Sequence, residues 1–369
     1  MAERAVARID LAAVAHNVGV LARAAGGAEV MAIVKADGYG HGAVPVARAA
    51  LAAGAGSLGV VTLAELRQLR DAGIDGRVLV MGPLRSDELP HADGAEVVAW
   101  TPDFVRDAGR FGNGRGSPVP VHLKLDTGMG RLGARPEAVD ELVAAATETT
   151  GIEVVGLMTH FATADERGGN NGAFFREQLL RFRARVAELK ALFPVARAHA
   201  ANSAAVLREP GAAFDMVRCG IALYGADPFG VDPDRHDLRP VLSLHSWLAS
   251  VKGLSSRDSA GYGRHYRAPR ATRIGVVPIG YGDGYARAMT GADVLIGGRR
   301  VPVVGAVSMD QITVDLGPEA TDRVGAPVVL IGTQGDERIT LEELARHRGT
   351  INYEITCSLS PRVRRVYGE

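Results

Sequence analysis

Lys35 closes the apolar run Met31-Ala32-Ile33-Val34, and a lysine leaving such a run is partly desolvated, which lowers its pKa and suits a Schiff base with an aldehyde. Alone, a lysine at a strand end is more often a solvated side chain or half of an ion pair. Lys124 and Asp126 close a second run ahead of Thr127-Gly128-Met129-Gly130-Arg131, and Thr159-His160 and Asn202-Ser203 close two more. Arg218 stands between Val217 and Cys219, where its charge must be put to use or paired in a structural ion pair. Ser203 and the amides of Gly220 and Ile221 suit a phosphate; ordinary turn and cap hydrogen bonds are the alternative. His41, His122 and His199 lie in apolar or turn contexts without metal spacing, so they read as hydrogen-bonded packing residues. Met129 reads as packing too, and no metal site is expected.

Those positions end segments of one texture. Eight short runs rich in Val, Ile and Leu lie near residues 30–35, 57–62, 77–82, 95–100, 119–126, 153–161, 196–203 and 215–221. Amphipathic stretches such as 42–53, 136–147 and 174–192 fall between them, as buried parallel strands with crossover helices require. Eight βα units predict a TIM barrel, whose chemistry sits at the C-terminal strand ends. Residues 227–240, rich in Asp, Pro, Gly and Arg, read as a linker. Beyond it, β-prone runs at 241–254, 271–279, 294–307, 312–316 and 327–331, with one helix at 341–348, predict a smaller, mostly β domain. The expected domains are residues 1–232 and 233–369.

With 42 basic and 42 acidic residues the formal charge is zero, and no long basic run appears, which argues against nucleic acid or an anionic membrane as partner. A small-molecule substrate fits better. The chain has two cysteines, Cys219 and Cys357, too few for a disulfide framework or a Cys-rich zinc site. No stretch reaches membrane-spanning length without Gly, Pro or charge, so a cytoplasmic protein is expected.

In order along the chain, residues 34–42 (VKADGYGHG), 122–133 (HLKLDTGMGRLG), 159–165 (THFATAD), 200–203 (AANS) and 216–225 (MVRCGIALYG) resemble the alanine racemase family. So do 261–263 (GYG), 278–284 (PIGYGDG), 308–311 (SMDQ) and 352–354 (NYE) in the second domain. The resemblance implies an isomerase that uses pyridoxal 5′-phosphate (PLP) to interconvert L- and D-alanine, supplying D-alanine for peptidoglycan. It also implies a homodimer with shared active sites, the C-terminal domain contributing to the partner's site.

Racemisation needs an acid/base group on each face of the substrate. By resemblance Lys35 forms the aldimine with PLP and serves the D-alanine face, while Tyr262 of the partner subunit serves the L-alanine face. His160 and Arg218 would support Tyr262 and reach the pyridine nitrogen, to which a guanidinium donates a hydrogen bond but does not readily give a proton. Arg131 would contact cofactor and substrate carboxylate. Lys124 would carry a carbamate that orients Arg131. Tyr39, Asn202, Ser203, Gly220, Ile221 and Tyr353 match cofactor-binding positions, and Tyr281 and Met309 match the substrate-pocket wall. Two departures stand out: many relatives have Arg at Ala306 and Cys at Ser308. A racemase accepting serine as well as alanine is the near alternative. A PLP decarboxylase would want an acidic partner where Arg218 stands, and a non-catalytic PLP carrier would have no use for Tyr262 or Met309.

Overall fold

The computed structural model describes residues 3–92 and 94–368. They divide into two compact units. Val14–Gly38 and Ala43–Leu223 form one; Tyr39–Gly42, the N-terminal stretch up to Ala13 and everything from Tyr224 form the other.

The first strand, β1 (Val6–Asp10), belongs to the second unit, and the next eight build the first. These are β2 (Glu29–Ile33), β3 (Ser57–Val60), β4 (Val78–Val80), β5 (Glu96–Ala99), β6 (Val119–Lys124), β7 (Ile152–Met158), β8 (Arg197–His199) and β9 (Met216–Cys219). They pair in parallel in sequence order, with β9 returning beside β2. The ends meet through one bridge, Asn202 to Arg218, so the sheet nearly closes as a (β/α)8 barrel. Every residue of β3, β4, β5 and β9 is buried, because barrel filling covers one face and helices the other. All eight expected runs carry a strand.

The helices between them start and stop on local chemistry. Leu63–Asp71 opens with Thr62 and Glu65 in a reciprocal capping box. Pro102–Arg115 opens with Thr101 as cap and Pro102 at its first position, and ends at Gly116 in the left-handed conformation. The expected helices at 42–53, 136–147 and 174–192 appear as Ala43–Ala52, Val139–Glu148 and Gly169–Leu192.

Directly after Lys35 the backbone does something costly. Ala36, Asp37, Gly38 and Tyr39 have φ of 51, 51, 61 and 53°, a left-handed turn that costs a non-glycine residue about 1–2 kcal/mol. Three hydrogen bonds hold its first part: Ala36 N to Glu65 Oε1 at 2.7 Å, Ala43 N to Asp37 Oδ1 at 2.9 Å, and Gly38 N to Val34 O at 2.9 Å. At Gly40, a Cβ would lie 2.2 Å from the Thr356 carbonyl oxygen, so no other residue fits.

The second unit is built on a large sheet whose longest strand is Pro327–Gln334. The run at 294–307 is a hairpin, Asp293–Ile296 with Arg299–Val304, turning at Gly297 and Gly298. The run at 241–254 is two strands, Leu242–Trp247 and Ser250–Leu254, and the expected helix is Leu341–Arg348. A boundary at 232/233 assigns β1 to the barrel, but β1 lies in this sheet, antiparallel to Leu242–Trp247 and parallel to Arg364–Gly368. Its residues explain why: Ala7 and Ile9 are buried while Arg8 and Asp10 are exposed, the alternation of a strand covered on one face only.

Candidate active site

Arg218 on β9 is buried, and its partners are unusual for a cation. One terminal nitrogen meets His199 Nδ1 and the His199 carbonyl, each at 3.0 Å. The other meets Thr159 O at 2.8 Å, His160 Nδ1 at 3.1 Å and Ala200 O at 3.1 Å. Among the described residues no carboxylate pairs with it and Nε–H makes no hydrogen bond. Burial lowers its pKa to about 10, so it stays charged near neutrality. Burial, and then the charges of Arg218, Arg131, Lys124 and Lys35, hold His160 well below the ordinary imidazole value. His160 therefore meets the guanidinium as a neutral ring with a lone pair on Nδ1.

Lys124, at the end of β6, is buried too. Burial first, then Arg218 and Arg131, push its pKa down to about 8, with Asp126 opposing. Asp126 shapes the loop that follows: Oδ1 accepts from Gly128 N at 2.9 Å and Met129 N at 2.8 Å, and Oδ2 from Gly130 N at 3.0 Å. The loop ends at Arg131, whose side chain is exposed. Met129 enters this geometry through its amide.

At the β8 and β9 ends, Asn202 caps the short helix Ser203–Arg208 through Ala205 N at 3.0 Å. Ser203 Oγ accepts from Gly220 N at 3.0 Å and Ala222 N at 3.3 Å. The Gly220 amide is thus directed at Ser203, not at open space, and the Ser203 hydroxyl retains its proton for an incoming acceptor. Ile221 is buried beside it.

The remaining expected residues lie in the second unit. The Tyr39 ring packs 4.9 Å from Tyr224 and 6.0 Å from Tyr353, and His41 stacks on Tyr224 at 4.5 Å, a packing role. Tyr262 rides a tight turn between Gly261 and Gly263, with φ of 76 and 69°, and is 69 % exposed. Tyr281 and Met309, 41 % and 52 % exposed, are tied through the backbone: Tyr281 N donates to Ser308 O at 3.1 Å and Gly282 N to Met309 O at 2.8 Å. Ala306 adjoins the Tyr262 turn, since a Cβ on Gly261 would lie 3.1 Å from its nitrogen.

Two residues read as packing turn out to touch the site. His199 is bonded to Arg218, and His122 Nδ1 lies 2.7 Å from His199 Nε2. The signal was present: His122 precedes Lys124 by two residues, so on β6 both face the same way. Among the described residues no group of three or more His, Cys, Asp or Glu is placed to hold a metal.

This arrangement has close counterparts. Residues 9–228 match the family of alanine racemase N-terminal domains, and 241–367 that of alanine racemase C-terminal domains. The chain is 44 % identical to an alanine racemase of Symbiobacterium thermophilum, over 98 % of this chain and 96 % of the relative. A Bacillus anthracis alanine racemase, solved with bound L-Ala-P, superposes with a TM-score of 0.91 at 37 % identity, covering 100 % of this chain and 96 % of the other. That of Bartonella henselae, with covalently bound pyridoxal phosphate, gives 0.88 at 27 % identity, covering 100 % of each.

Proposed function

The chain belongs to the alanine racemase family of isomerases, and from that premise we propose that it interconverts L- and D-alanine with PLP held by Lys35. The observation that carries this reading is Arg218, charged, buried and hydrogen-bonded to carbonyls and imidazoles, with no carboxylate partner among the described residues.

The donor set suits the cofactor. Nε–H of Arg218 is uncommitted and would meet a ring nitrogen, the Ser203 hydroxyl would meet the phosphate, and Lys35 supplies the amine. Asn202, Gly220 and Ile221 form the corner around Ser203. Tyr39 and Tyr353, which match cofactor-binding positions of the family, pack 6.0 Å apart within their own unit. When bound, PLP supplies an aldehyde for the amine and a conjugated ring that weakens the Cα–H bond. Arg218 donates a hydrogen bond and keeps its proton, which leaves that ring a restrained electron sink and favours simple proton return. A decarboxylase with an acidic residue at this place would do the opposite.

Lys35 would move the proton on one face and Tyr262 on the other. Tyr262, Tyr281 and Met309 are exposed apolar or aromatic side chains, as residues that complete a partner's site in a two-fold dimer would be. Arg131 would hold the substrate carboxylate. Lys124, with its amine pKa near 8, is deprotonated often enough to add to CO2, losing a proton and becoming a carbamate anion amid Arg218, Arg131 and Lys35. No described helix is long and apolar enough to cross a membrane, and we place the protein in the cytoplasm, making D-alanine for peptidoglycan.

The test is chiral analysis after separate incubations with L- and D-alanine, beside the visible spectrum of the protein. Both incubations should converge on equal amounts of the two forms, and borohydride should bleach a visible band. Release of CO2 and an amine, or no loss of optical purity, would sink the reading.

A further inference from the structure

Beneath Arg218 a line of polar groups runs through the barrel interior. His199 Nδ1 lies 3.0 Å from the guanidinium, His199 Nε2 lies 2.7 Å from His122 Nδ1, and His122 Nε2 lies 2.9 Å from Glu96 Oε2. Both rings are almost fully buried, and Glu96 nearly so. The line crosses β7, which separates β6 from β8, and the sequence makes room for it. A Cβ on Gly156 of β7 would stand 1.9 Å from His122 Nδ1, and β6–β7 pairing shifts register between Val121 and His122. The strand has no side chain at the one place where the ring must lie.

The direction of every bond follows from Arg218. A guanidinium only donates, so His199 Nδ1 must offer a lone pair and its proton must sit on Nε2. That proton points at His122 Nδ1, which must accept; the His122 proton is then on Nε2 and points at Glu96. A carboxylate only accepts, so the line ends consistently. An imidazolium at His122 would point a proton back at His199 and force a donor against the guanidinium. The other charges near the line are Arg77, 3.9 Å from Glu96 Oε1 and also bonded to Glu29, and Lys124 near His199.

We infer that Glu96, His122 and His199 are positioning residues for Arg218: a one-way hydrogen-bond chain that fixes both imidazoles as the Nε2–H tautomer and so fixes the orientation of the guanidinium. The consequence for turnover rests on the racemase reading; the tautomers do not. A carboxylate holding an imidazole in one tautomer is an established device for orienting a group it never touches.

The test begins with 15N-histidine labelling of the full chain without cofactor. Nitrogen spectra at neutral pH should show His122 and His199 each with a bare Nδ1 and a protonated Nε2, and His199, held well below the ordinary imidazole value by burial, should not gain a proton there. An imidazolium, or a proton on Nδ1 of either ring, would overturn the proposal. Next, with PLP loaded, Glu96→Leu should mix the tautomers and lower kcat in both directions about 10- to 100-fold at nearly constant KM. Glu96→Gln, which keeps an acceptor for His122, should recover most of that loss. A folded Glu96→Leu with unchanged kcat would overturn the positioning role; if Glu96→Leu fails to fold, the wild-type and Glu96→Gln spectra decide. Wild-type protein with the expected tautomers but no racemisation would uphold the chain and sink the functional reading alone.

Discussion

The two units hold their candidate residues in opposite ways. In the barrel, Arg218 and His199 are buried and hydrogen-bonded and Lys124 is buried among charged neighbours, so their charge is settled within one chain. In the β unit, Tyr262, Tyr281 and Met309 stand exposed on turns whose backbone is fixed but whose side chains lie open. The contrast separates two tasks. A group that must keep a set charge is built into a core, where each unpaired donor would cost about 1–3 kcal/mol, whereas a group that must meet substrate and a second surface is displayed.

The largest effect comes from dividing the two kinds of residue between chains. Lys35→Ala and Tyr262→Ala should each lose several orders of magnitude in turnover. Mixed in equal amounts with subunit exchange confirmed by a mass label, they should regain roughly one quarter of wild-type activity, because half the dimers then hold one intact site of two. Activity that stays at the single-variant level would show that both bases come from one chain.

Stability should divide along the same line. Arg218→Ala strands His199 and three carbonyls and should cost about 3 kcal/mol in denaturant unfolding, whereas Tyr262→Phe should stay within about 0.5 kcal/mol. Comparable losses at both positions would erase the distinction.

The smallest effect is a pH slope. Lys124 has its pKa lowered from 10.5 to about 8, so between those values the unfolded chain binds more protons and stability rises with pH. The burial cost is complete below about pH 8 and gone above about 10.5. In CO2-free buffer Lys124→Met should therefore be more stable than the parent by roughly 1–3 kcal/mol at neutral pH, the gap closing as pH rises through that window. A gap independent of pH would mean that packing, not charge, sets it.

How much of this was legible in the sequence depended on the range of the interactions. The eight barrel strands were legible because burial on both faces leaves continuous apolar runs, and strand-end residues such as Lys35 and Arg218 followed from the architecture. β1 was not, because five alternating residues do not say which sheet they join, and its partners lie more than two hundred residues away. Reading His122 and His199 as packing was half right: both are buried, but their bonding depends on strands separated in sequence and on the gap left by Gly156. A glycine inside a strand otherwise rich in Val and Leu was the available clue.

The placement of β1 also bears on how the chain is made. The barrel's last strand ends at Cys219, so the whole barrel can form while synthesis continues. β1 is made before either of its neighbours, one of which begins at Leu242 and the other at Arg364, about 350 residues after β1 ends. At about 5–20 residues per second the first strand waits tens of seconds for its last partner, an unpaired edge throughout. Its exposed Arg8 and Asp10 suit that wait, since charges along an open edge deter pairing with a neighbouring nascent chain.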